Sequence, residues 1–318
     1  MSMLEKKAPL SPRTVSHSSS TVTRRLHLAR LRENALAYVF LAPSLLLFGV
    51  FLLYPMLKSI YLSFHLTDPR GRIAAYVGLD NFKALFLSEA FWNGLAVTGK
   101  FALLTVPTGI VLGLIMSALA HAKLRGMRLF QFIFSLPLAV SVSTSSVIWM
   151  MLFHPTMGMF NYFLSLAGIS PVQWLTDPSW ALLSIASMTV WMNSGFNFIV
   201  LLSGLQGISE DIYDSAKIDG SGPIRTFISL VMPLLSPTIF FLFVVSVISS
   251  LQSFGQIHIL TKGGPAGSTE VLVYSIYKEA FVNYQFGTGS AISIVLFLII
   301  LLLTFIQFTF VEKKVHYQ

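Results

Sequence analysis

The chain contains no cysteine. That absence excludes disulfide scaffolds, thiolate nucleophiles and Cys–zinc sites, and it leaves the redox compartment unmarked. Charge is scarce as well. The 21 Lys and Arg and 13 Asp and Glu make up 11% of 318 residues, against about 25% in an average soluble protein. A soluble protein of this length needs far more polar surface. The seven histidines (17, 27, 65, 121, 154, 258 and 316) include no pair three to five residues apart, so no helical metal site is expected. Hydrophobic residues reach 54% and mean hydropathy is +0.74. Disordered, collagenous and coiled-coil readings fail on those values, and the composition belongs in a bilayer.

What is present is long apolar runs. Each crossing of a bilayer must be a helix of about 20 residues, because lipid offers no partners to exposed peptide groups. Six runs meet that need: Ala35–Leu57, Phe101–Ala120, Leu129–Phe153, and cores within Trp180–Leu205, Pro233–Phe254 and Ser290–Val311. The expected fold class is therefore all-α, a polytopic bundle of six transmembrane helices. Pro43, Pro55, Pro107, Pro137, Pro233 and Pro237 lie in or beside these runs and predict kinks. Gly109, Gly113 and Ser117 form a small-xxx-small stripe, which suits close helix packing or a subunit contact.

The basic residues assign the sides. Fourteen lie on the side of the termini: seven in the first 34 residues, three in 123–128, then Lys217, Arg225, Lys313 and Lys314. Seven lie on the other: Lys58, Arg70, Arg72, Lys83, Lys100, Lys262 and Lys278. The excess places both termini in the cytoplasm of a multi-pass protein of the cell (inner) membrane. The scattered positive charge fits orientation better than nucleic-acid binding. Residues 1–34 are expected to be a disordered, basic cytoplasmic tail, and 35–318 a transmembrane domain.

Gly94-Leu-Ala-Val-Thr-Gly99-Lys100 has the spacing of a phosphate-binding loop. Phe101 occupies the position where Ser or Thr would meet magnesium, and no strand precedes it. It is a coincidence, and no catalytic residue is assigned anywhere in the chain. The span cores also hold no Asp, Glu, Lys or Arg, unlike proton-driven carriers and voltage sensors. Energy has to enter from elsewhere.

The richest segment is 207–233, between the fourth and fifth runs. Ser209 is a good N-cap, with Glu210 and Asp211 in the first turn where the helix dipole favours acids. Ile212, Ala216 and Asp219 follow at i, i+4 and i+7. Gly220 can close the helix in the left-handed conformation, and Pro223 suits the first turn of a second one. The residues alone describe either a knob for a partner's groove or an ordinary amphipathic linker.

Asp214-Ser-Ala-x-x-Asp-Gly220-Ser-Gly-Pro, leading to Leu-x-Met-Pro233, resembles the EAA loop of ABC importer permeases. Asp214 stands for the family's Glu, Ser215 for its first Ala and Met232 for the Leu before the proline. Tyr76-Val-Gly-Leu-Asp-Asn-Phe82 and Thr261-Lys-Gly-Gly-Pro-Ala-Gly-Ser-Thr269 are similar to outer segments of carbohydrate permeases, and Val315-His316-Tyr317 is like the tail of one of their branches. The resemblance covers about residues 35–318. It implies a non-enzymatic transmembrane subunit that pairs with a second homologous permease, two cytoplasmic ATPase subunits and an extracytoplasmic substrate-binding protein. ATP and Mg would sit on the ATPases, with no cofactor and no metal in this chain. It further implies that Ser209, Asp211, Asp214, Ser215, Ala216, Asp219 and Gly220 couple the chain to an ATPase.

A neutral, hydroxyl-rich substrate needs amides, hydroxyls and an aromatic face. Trp149, Trp191, Asn193, Asn197, Ser249, Gln252 and Gln256 supply them, with Ser141, Thr144, Ser145 and Ser253 as further hydroxyls. Asn193/Asn197 and Gln252/Gln256 are each spaced to share a helix face. The competing reading is helix–helix hydrogen bonding. The functional expectation is half of the path for a sugar or oligosaccharide. Glycerol 3-phosphate or its diesters is the alternative, since the last third is similar to that branch while no cation lies in a span core. A stand-alone channel or sensor is the third reading.

Overall fold

The computed structural model describes residues 38–121 and 126–315. The tail 1–34, Lys123 and Arg125 of the orientation count, and His316 and Tyr317 lie outside them. Contacts divide the chain into two compact units at Lys58/Ser59. Helix α1 (Tyr38–Ser63) is long and apolar enough to cross a membrane. It carries a π-turn at Gly49–Leu53, and its large side chains from Tyr38 to Leu57 are exposed, as lipid-facing positions require.

From Ser59 on, α1 leads into an antiparallel hairpin, β1 (His65–Thr67) and β2 (Ile73–Tyr76), paired His65 to Tyr76. A short α2 (Asp80–Leu87) precedes α3 (Glu89–His121). Helix α3 begins twelve residues before the apolar run Phe101–Ala120 and continues through Pro107 without interruption. The segment Gly94–Lys100 lies inside it, so no phosphate-cradling loop exists there.

The third run differs from its expectation as one plain crossing. Helix α4 (Met127–Ser135) tightens into a 3₁₀ turn at Leu136–Ala139, and the chain bends by 102° into α5 (Val142–Leu152). Pro137 opens the 3₁₀ turn, Val140 and Ser141 are extended, and the Ser141 hydroxyl accepts the Thr144 N–H to start α5 afresh. A broken helix at membrane depth must be packed on protein or line a cavity. Two glycines make room for this one. A Cβ on Gly195 would sit 2.9 Å from the Leu138 nitrogen, and one on Gly255 would sit 2.9 Å from Val142 Cγ1.

A short α6 (Met159–Leu166) leads to α7 (Pro178–Gln206), the most enclosed span, with 61% of its apolar window buried. Its main neighbour is α3. There Gly109 and Gly113 face Asn197, and Gly113 also meets Leu201, so the small-residue stripe serves packing within the chain. Beyond α8 (Glu210–Ile218) and α9 (Pro223–Thr226), a π-turn at Phe227–Val231 joins α10 (Met232–Leu251). The helix breaks at Gln252–Phe254 before α11 (Gly255–Leu260). Then come α12 (Leu272–Tyr277) and α13 (Phe286–Ile306). Among the described residues five helices are long and apolar enough to span a bilayer, and the bent pair α4–α5, counted as one broken span, brings the number to six. The fold is a polytopic helical membrane bundle.

Two apolar clusters hold its ends. Val97, Phe101, Ile185, Met188, Ile257 and Val271 gather where α3 and α7 begin. Leu201, Leu205, Ile208, Val231, Leu235 and Leu242 gather where α7 ends. That second cluster is the seat of α8.

Candidate functional site: a docking elbow and the broken spans

Each boundary of α8 has a local cause. Ser209 caps its start by accepting the Asp211 N–H at 3.3 Å, and Glu210 and Asp211 occupy the first turn. At the other end, Gly220 takes φ +71°. Its N–H donates to the Lys217 carbonyl at 3.0 Å and that of Ser221 donates to Ala216 at 2.9 Å. This is the paired 5→2 and 6→1 closure that a left-handed residue permits. Pro223 then starts α9 at a position where its missing N–H costs nothing.

The helix is seated by one face. Ala216 is buried, and Ile212 and Tyr213 pack on the cluster of Leu205, Ile208 and Val231. Asp219 does not share that face: it is the C-cap and is exposed. Asp211, Asp214 and Ser215 are exposed too. Asp214 holds Lys217 at 2.9 Å, and this hydrogen bond is the first cause raising the Lys217 ammonium above its usual pKa. Both partners are mostly exposed, so the pair contributes little to stability. Burial raises the Tyr213 phenol. Behind α8 lies a cavity of about 770 Å³, lined by His121, Arg128, Gln131, Gln206, Tyr213 and Lys217 among others.

The sequence reading missed the tip of the elbow. Ile218 is 86% and Ile224 is 74% exposed, one on each side of Gly220. Two large apolar side chains therefore stand bare beside the left-handed glycine. The available signal was the position of Ile218, six residues after Ile212 and so off the seated face.

The polar span residues divide into two groups. Asn197 is 3% exposed, wedged against Gly109 and Gly113. Gln256 is equally buried, and its Nε2 donates to Thr189 Oγ1 at 3.3 Å. Asn193, Ser249 and Gln252 are exposed, as are Ser141 and Thr144 at the start of α5. Trp149 and Trp191 are half-buried, with ring centres 5.8 Å apart. Gln252 and Gln256 do not share a continuous helix face, because the break in the fifth span separates them. Among the described residues no group of three or more His, Asp or Glu could hold a metal ion.

The described residues thus form a helical bundle whose interrupted spans expose amides and hydroxyls, with a helix–glycine–helix elbow following the end of α7. Residues 105–317 match the model of the binding-protein-dependent transport system inner membrane component family, and the chain belongs to that family. It is 37% identical over 288 residues to the sn-glycerol-3-phosphate transport system permease protein UgpA of Agrobacterium fabrum, covering 90% of this chain and 97% of that one. The Pectobacterium atrosepticum protein of the same name is 36% identical over 290 residues, with the same coverage. In fold it is similar to a chain of a bacterial ABC transporter that imports the acidic polysaccharide alginate. The TM-score there is 0.78 at 24% identity, over 91% of this chain and 99% of the other. This chain is accordingly a multi-pass inner-membrane permease subunit of an ABC importer of the carbohydrate-uptake type.

Proposed function

We propose that this chain is one passive half of an import path for a carbohydrate-class solute, moved by ATPase subunits that grip the elbow at Gly220. The observation that carries the reading is the pair of exposed isoleucines flanking that left-handed glycine. A second homologous permease completes the path, an extracytoplasmic binding protein loads it, and both termini face the cytoplasm. ATP and Mg belong to the ATPases. When these close, α8 is displaced. The cavity behind it leaves room for the shift, while Ile212 and Tyr213 pass the motion to the ends of α7 and the fifth span. A rigid-body shift of packed helices of this kind alternates access from one side to the other.

The solute would meet Asn193, Ser249 and Gln252, with Trp149 and Trp191 supplying the aromatic wall. These groups hydrogen-bond sugar hydroxyls and offer no counter-charge, which favours a neutral sugar or oligosaccharide. The relatives named for sn-glycerol 3-phosphate favour a second reading, a glycerol phosphate or its diester. In that case the partner permease has to supply the cation. Titrating the cognate binding protein with neutral sugars and with glycerol 3-phosphate separates the two readings.

Asn193→Leu combined with Gln252→Leu is expected to cut uptake by about tenfold or more, the loss of one or two hydrogen bonds to the solute. ATP hydrolysis stimulated by the loaded binding protein should persist. Full uptake in proteoliposomes would assign both residues to helix packing.

A further inference from the structure

The segment between α5 and α7 is unlike its neighbours at the same end of the bundle. Residues 64–88 carry Asp68, Arg70, Arg72, Asp80 and Lys83, and residues 261–285 carry Lys262, Glu270, Lys278 and Glu279. Residues 153–177 carry only Asp177, which caps α7 by accepting the Ser179 N–H at 2.8 Å. Within them α6 is pinned rather than loose. Asn161 donates to the carbonyls of Pro155 and Val172, and accepts from the Val172 N–H and the Trp174 indole at 2.8–3.0 Å. Phe160 packs against Trp149, Phe153 and Trp174. With that inner face fixed, Met159, Tyr162, Phe163 and Leu166 fall at i, i+3, i+4 and i+7 and all point outward, 54–69% exposed. Met157 and Ile169, at either end, are exposed as well.

We propose that this face of α6 lies in the headgroup–acyl boundary of the leaflet opposite the coupling elbow, so that its partner is the lipid surface. Three observations favour lipid over a protein partner. Both sister segments carry four or five charges spread along their length, whereas this one carries a single carboxylate, Asp177, at its far end and engaged as the N-cap of α7. The bare face continues the outward side chains of Val147, Ile148 and Met151 on α5, giving one unbroken apolar surface of the kind a spanning helix presents to lipid. Tyr162 adds an aromatic ring with a polar tip, the composition of the membrane interface. An apolar helix face lying in that plane is buried about 5–10 Å into the boundary. The segment would then act as a float, holding the mouth end of α5 and α7 level while their inner ends are moved.

The absence of cysteine makes the test direct. Single-cysteine variants Tyr162→Cys and Leu166→Cys, labelled with an environment-sensitive fluorophore, are examined in the intact transporter. The nanodiscs contain phosphatidylethanolamine and phosphatidylglycerol, with or without a shallow spin-labelled phospholipid. Both labels are expected to lose about half their emission to the quencher, matching a Met151→Cys label, while an Arg70→Cys label on the hairpin is unaffected. Quenching no greater than at Arg70→Cys would overturn the proposal. So would shielding that appears only on adding the binding protein, since the face would then belong to a protein partner.

Discussion

Gly220→Val is expected to lower substrate uptake by about tenfold or more while the protein remains in the membrane at normal amount. At φ +71° the glycine meets no atom within 4 Å of where a Cβ would stand, so the penalty comes from backbone conformation and not from collision. A non-glycine residue there costs roughly 1–2 kcal/mol, and valine sits at the upper end because its branched Cβ crowds the following carbonyl. The elbow would respond by opening, which moves Ile218 and Ile224 apart. Gly220→Asn separates shape from sequence, because asparagine visits the left-handed region readily; it should retain most of the uptake. Unaltered uptake in the valine variant would remove the turn from the coupling route.

Gly113→Leu is expected to strike the fold itself. A Cβ at Gly113 would lie 2.8 Å from Asn197 Cβ and 3.2 Å from its carbonyl carbon. The second contact is backbone, so α3 and α7 must separate. Overpacking of this kind costs about 1–3 kcal/mol, and the α3–α7 contact is the largest between helices in the bundle. The variant should melt several degrees lower in detergent and accumulate poorly. Gly99→Leu in the same helix meets nothing within 4 Å and serves as the control. Equal melting of the two variants would contradict the packing role of the stripe.

The fold was legible where the physics is local. Uncharged runs marked the spans, because lipid forces them into helices, and the elbow could be read residue by residue from Ser209, Gly220 and Pro223. Legibility failed where the cause lies on another helix. Pro137 reads as a kink, but a 102° bend needs the space that Gly195 and Gly255 leave opposite it. The interruption at Gln252–Phe254 has no proline to announce it. Asn193 and Asn197 share a face by spacing yet differ in exposure. One helical turn, about 5.4 Å, carries Asn197 to the height where the glycines of α3 close in. Burial along a span depends on which neighbour stands at each level, and one sequence does not carry that information.

The central claim is that force enters this chain at the elbow from a nucleotide-driven partner. The most direct measurement places a single cysteine at Ile218 and adds a short bifunctional reagent to the reconstituted transporter. The account predicts a cross-link from Ile218→Cys to the ATPase subunit, labelling from the cytoplasmic side alone, and a yield that changes on ATP binding. Labelling from the opposite side, or an importer in full activity whose Ile218→Cys never joins an ATPase, would contradict it.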